Sequence, residues 1–81
     1  MKRFFFDVRD GQGLVTDEAG ALMSGIEAAE EEAAQSLLDI VGERVGVRAW
    51  HQVAIEVRDD IGPVMTVTLQ LHIERQQRQT A

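Results

Sequence analysis

The stretch Val53-Ala54-Ile55-Glu56-Val57-Arg58-Asp59-Asp60-Ile61-Gly62-Pro63-Val64-Met65-Thr66-Val67-Thr68-Leu69 decides the fold of this chain. Val53, Ile55 and Val57 alternate with other residues, the pattern breaks at Asp59, and alternation resumes at Met65, Val67, Leu69, Leu71 and Ile73. A period of two is the mark of a half-buried strand. Asp bonds the backbone two residues on and Gly accepts positive φ, so the break reads as a hairpin. The two apolar sets can share a face only if Asp60-Ile61-Gly62 is a three-residue loop that pairs Asp59 with Pro63. A four-residue loop would shift the pairing by one and turn one set to water. The same register sets Arg58 opposite Val64 and puts Pro63 at a strand start, where a missing N–H is tolerable.

Working outward, the pattern Val-Arg-Asp-x-x-Gly occurs a second time, at Val8-Arg9-Asp10-Gly11-Gln12-Gly13, again after an alternating run of Phe4, Phe6 and Val8. The same loop here places Phe4, Phe6, Val8 and Leu14 on one face, with a short return strand from Leu14 to Asp17. Asp17-Glu18-Ala19-Gly20 is a further turn-like stretch. The two hairpins form a degenerate pseudo-repeat, or share residues because hairpin chemistry favours them. Between them Ser24-Gly25-Ile26-Glu27 reads as a capping box that opens a helix from about 25 to about 45. Its apolar stripe is Ile26, Ala29, Ala33, Leu37, Ile40 and Val41, widened by Ala34 and Leu38 and extended by Val45, with Gly46 as the C-cap. The expected fold class is α+β, ββαββ: a four-stranded, mainly antiparallel sheet with one helix packed on one face. Strand order 2-1-3-4 follows if the helix returns the third strand antiparallel to the first; 2-1-4-3 is its rival.

Eighty-one residues make one domain, expected over 1–75, with a polar tail over 76–81 that frays. No Cys is present, which excludes disulfides and thiolate chemistry and favours a reducing, cytoplasmic setting. No apolar run reaches the ~20 residues of a membrane span. The net charge of −6 and pI near 4.7 oppose binding to nucleic acid, since the eight Lys and Arg are scattered.

No catalytic, cofactor or metal constellation emerges. Asp7, Asp10, Asp17, Glu18, Asp59 and Asp60 lack the spacing of a calcium loop, and His51 and His72 lie far apart with no further zinc ligands beside them. The pair Asp59 and Asp60 belongs to a solvated hairpin, not to a pocket that would separate two carboxyl pKa values. Ser24 is explained as a cap, and Ser36 has no His at a suitable spacing. Gly11-Gln12-Gly13 opens into a strand, so it lacks the helix N-terminus of a phosphate cradle.

One surface remains. In the derived register the sheet face away from the helix carries Phe5, Val15, Trp50, Val64, Thr66, Thr68 and His72, a mixed aromatic and β-branched set of the kind that marks a contact. Cross-strand pairing alone would also explain it.

The chain resembles a family of short, uncharacterised bacterial domains of unknown function. The likeness lies in Arg3-Phe4-Phe5-Phe6-Asp7-Val8-Arg9-Asp10-Gly11, in Asp17-Glu18-Ala19-Gly20, in the Ala- and Glu-rich helix from Ile26, and in Ile55-Glu56-Val57-Arg58-Asp59-Asp60-Ile61-Gly62. It extends to about Leu69. Asp7 stands where the resemblance implies His, so a role built on that His does not carry over. The resemblance supports the fold and implies no activity.

These readings lead to a small cytoplasmic interaction or accessory domain that self-associates, as a homodimer or with another protein, through the outer sheet face or the edge of the last strand. A small-ligand binder or minor enzyme with a site at a dimer interface, using His72, is the alternative. A nucleic-acid-linked regulator using the basic termini is a third.

Overall fold

The computed structural model describes residues 1–43 and 51–78. The elements run β1 (Lys2–Asp10), β2 (Gly13–Val15), β3 (Ala21–Met23), α1 (Ile26–Glu43), β4 (Gln52–Arg58) and β5 (Pro63–Gln70). The sheet is antiparallel in the order β2-β1-β4-β5, and β3 also pairs with β1. The α+β class and the 2-1-3-4 arrangement of the main strands therefore hold, with one short strand added.

Period-two alternation and burial agree where the sheet is thick. Phe4 on β1 and Val53, Ile55 and Val57 on β4 are fully buried against Ala29, Ala33 and Leu37 of α1. Alanine at two of those helix positions lets the backbone sit close to the sheet, and the buried apolar side chains supply the main stabilisation of so small a fold. The helix lies over β4 and β5. Its first bond runs from the Ala29 amide to the Gly25 carbonyl, so Gly25, one residue past Ser24, is the cap position. Ile26, Ala34 and Leu38, expected in the buried stripe, are exposed, because the sheet covers a narrower arc of the helix. Val45, Gly46 and Trp50 lie outside the described residues.

The second hairpin keeps the expected register over Val57↔Met65, Ile55↔Val67 and Val53↔Leu69, but it reaches it by another route. Arg58 pairs with Pro63, not Val64, so the loop has four residues. The Asp59 carboxylate Oδ1 accepts the amides of Ile61 at 2.9 Å and Gly62 at 3.0 Å, and the Asp59 amide donates to the Gly62 carbonyl at 3.0 Å. Val64 is then the extra residue of a bulge, which absorbs the one-residue shift. It packs against the core.

The first hairpin differs more. Asp10 pairs with Gly13, Arg9 with Leu14 and Val8 with Val15, leaving a two-residue loop. The Asp10 carboxylate accepts the Gln12 amide at 2.8 Å, and Gly13 takes the positive φ of 140°. Leu14 consequently lies on the outer face beside Arg9. Val15, expected there, lies on the helix face beside Val8 and is 71% exposed.

Candidate functional site

The outer face is built from odd residues of β1 and even residues of β4 and β5. Phe5, Asp7 and Arg9 stand opposite Arg58, Glu56 and Ala54, and Thr66, Thr68 and Gln70 continue the face across β5. The repeated motif acquires a structural meaning here. Asp7-Val8-Arg9-Asp10 and Glu56-Val57-Arg58-Asp59 run antiparallel about the pair Asp7↔Glu56. Each copy's Arg reaches diagonally to the other copy's carboxylate, Arg9 to Glu56 and Arg58 to Asp7. The likeness is thus a local two-fold arrangement with crossed ion pairs, beyond what turn chemistry alone requires.

Arg58 is the centre of a closed network. Its Nε donates to Asp7 Oδ2 at 2.9 Å, and a terminal nitrogen donates to the Asp17 carbonyl at 2.8 Å. Its guanidinium lies 4.4 Å from the centre of the Phe5 ring, a cation–π contact. Asp7, a buried carboxylate, also accepts the Asp17 amide at 2.8 Å. Asp17 in turn accepts the amides of Phe6 at 3.0 Å, Ala19 at 3.2 Å and Gly20 at 3.1 Å. Burial raises the pKa of both carboxyls, but the bonds from Arg58 and the Asp17 amide to Asp7, and from three backbone amides to Asp17, outweigh it and hold both below the usual range. At the hairpin, Asp59 is brought down to about 2, first by the hydrogen bond from Lys2 and then by the Gly62 and Ile61 amides. Lys2 Nζ and Asp59 Oδ2 are 2.8 Å apart.

The candidate contact residues therefore separate. Phe5 is half-buried beneath Arg58, and Val64 packs on the core. Val15 is on the opposite face, and Trp50 falls outside the described residues. His72 is exposed beyond the end of β5, 3.9 Å from Glu74. Only Thr66 and Thr68 come together as neighbours on an exposed strand.

That strand is the open feature. β5 is the last strand of the sheet, and no described residue pairs with its far edge. The Leu71 amide donates to the His51 carbonyl at 2.8 Å, which fixes the phase of the ladder. Met65, Val67, Leu69 and Leu71 direct their backbone groups to β4, so Thr66, Thr68 and Gln70 direct theirs outward. Pro63–Gln70 contains no charged side chain. A recess of about 220 Å³ runs beside this edge on the helix side, lined by Ala34, Leu37, Leu38, Val67, Thr68 and Leu69. A second, of about 270 Å³, lies by the bulge, where Asp7, Glu56 and Arg58 are its charged lining.

The chain turns at Asp17-Glu18-Ala19-Gly20 as the sequence predicts, but the sequence reading gives the Asp17 carboxylate no hydrogen-bonding role and misses β3. The available signal was Asp followed three residues on by Gly, then an apolar Leu22-Met23 pair. Among the described residues no group of three or more His, Asp or Glu is arranged to hold a metal, and no helix is long and apolar enough to cross a membrane.

Fold and site together define a small α+β domain whose sheet ends in two three-residue strands on one side and, among the described residues, in the unpaired edge of β5 on the other. The chain belongs to the family described as domain of unknown function DUF6894, which it matches over residues 3–70, ending with the last residue of β5. No curated protein and no solved structure matches it.

Proposed function

We propose that this domain is a protein-interaction module that works through the open β5 edge, and that its partner there is a second copy of the chain. The observation that carries this reading is an eight-residue edge strand with no charged side chain. Exposed edges are ordinarily blunted by charge, proline or bulges. Here Pro63 and the Val64 bulge protect only the start of β5. An antiparallel edge is self-complementary under a two-fold axis, the commonest symmetry of soluble oligomers. The apolar recess along the same edge, with Leu38 56% exposed above it, supplies area to bury besides the backbone bonds.

The module acts by binding and not by catalysis: Asp7, Asp17, Asp59 and Glu56 are engaged in holding the fold. Its acidic charge supports a protein partner over a nucleic acid, and a chain without Cys suits the cytoplasm. The test is solution mass across a concentration series for the wild type, Thr68→Pro and Thr68→Lys. Proline deletes an outward N–H without touching the β4 ladder, and lysine adds charge with the backbone intact. A concentration-dependent dimer that both substitutions dissociate is the expected result. A monomer throughout, or a dimer indifferent to both, would overturn the reading.

A further inference from the structure

We infer the register of the paired edges: the two-fold axis passes through Thr68, so that Thr68 faces Thr68 of the second copy and Thr66 faces its Gln70. The inference rests on the self-association proposed above and adds its geometry. Three constraints select this register. Only residues whose backbone groups point outward can form the hydrogen-bonded pairs of a new ladder, and on the regular part of β5 these are Thr66, Thr68 and Gln70. A two-fold axis must map that set onto itself. The bulge at Val64 and the missing N–H of Pro63 exclude the strand start from regular pairing.

Centring on Thr68 pairs all three outward residues with one another. Centring on Val67 pairs Gln70 with the bulged Val64, centring on Thr66 pairs Thr68 with Val64 and leaves Gln70 without a partner, and centring on Leu69 sends Thr66 to His72, past the end of the strand. The Thr68 register alone satisfies every regular outward group, as backbone polar groups taken from water require. It also aligns the helix-side residues: Val67 meets Leu69 of the copy, and Met65 meets its Leu71. These half-buried side chains extend the apolar row across the junction. Because the axis stands perpendicular to the sheet, both helices lie on one side, and the exposed Leu38 of each closes the recess at the other's edge.

The chain has no Cys, so single substitutions give unambiguous cross-links. In a hydrogen-bonded antiparallel pair the Cα atoms are ~5.5 Å apart. Thr68→Cys should therefore cross-link to itself with the shortest bifunctional thiol reagent. Thr66→Cys alone should not, since the two copies of residue 66 would lie roughly 14 Å apart along the strands. A mixture of Thr66→Cys and Gln70→Cys chains should give the mixed dimer in preference to either homodimer. If the wild type is a dimer but Thr66→Cys links to itself and Thr68→Cys does not, the register is overturned while self-association stands. A wild type that sediments as a monomer at all concentrations overturns both.

Discussion

The two long edges of this sheet are treated in opposite ways. Along β1, two strands of three residues each follow one another, and the chain between them folds in so that the Asp17 carboxylate accepts the Phe6 amide. Asp7 and Arg58 then clamp the Asp17 backbone from the outer face. That edge is completed by side chains of the same molecule. Along β5 the outward groups of Thr66, Thr68 and Gln70 meet no described residue, and no charge guards them. The difference teaches that the fold carries the means of covering an edge and, among the described residues, applies it along β1 and not along β5. The residues of functional interest are then those with nothing to do inside the fold, while the most chemically suggestive carboxylates are occupied with structure.

The comparison is broken most severely at Asp17. Asp17→Ala removes the acceptor for three amides, one of them in β1, and should destabilise the fold by on the order of 3 kcal/mol, read from chemical denaturation. Gly20→Ala comes next. Gly20 has φ of 69°, and a Cβ there would stand 2.8 Å from the Phe4 carbonyl oxygen. A loss of about 2 kcal/mol is expected, with Phe6 amide protection falling first. Arg58→Lys keeps the charge but loses the fork that spans Asp7 and the Asp17 carbonyl, and should cost about 1 kcal/mol.

Acid sharpens the same contrast. Asp7 and Asp17 are held below their ordinary range in the folded state, so their contribution is complete above the unfolded values of about 4 and fades as pH falls through the lower folded ones. On acid titration followed by NMR, the β1 edge should open before the β4–β5 ladder. Asp59 should protonate only near its folded value of about 2.

How much of this was legible from residues alone depends on how strongly burial constrains each element. β4 and β5 carry long alternating sets, and a one-residue slip would expose them, so the register of Val53, Ile55 and Val57 was readable. The loop route was not, because the Asp59 side chain organises four residues and the bulge at Val64 conceals the shift. β2 is exposed at all three positions, so nothing apolar selects between the two- and three-residue loops that send Val15 to opposite faces. The site was legible only in part. Alternation puts Thr66 and Thr68 on the outer face, where both are exposed, but it carries no sign of Arg58 lying over the Phe5 ring. The crossed pairs of Arg9 with Glu56 and Arg58 with Asp7 depend on strand order, which sequence left open between two choices.

The smallest effect on stability falls at the open edge. Thr68→Lys should change monomer stability by less than about 0.5 kcal/mol, because the side chain is exposed and no described residue bonds its outward N–H. It should nevertheless weaken self-association at least tenfold by placing like charges across the junction.

Amide hydrogen exchange followed against protein concentration tests the central claim most directly. The account predicts that the Phe6 amide is protected at every dilution. The amides of Thr66, Thr68 and Gln70 should exchange freely in dilute solution and become protected together as concentration rises. Protection of those three that persists unchanged on dilution would show that the edge is closed within one chain, and free exchange at every concentration would show that no second copy pairs with it; either result contradicts the account.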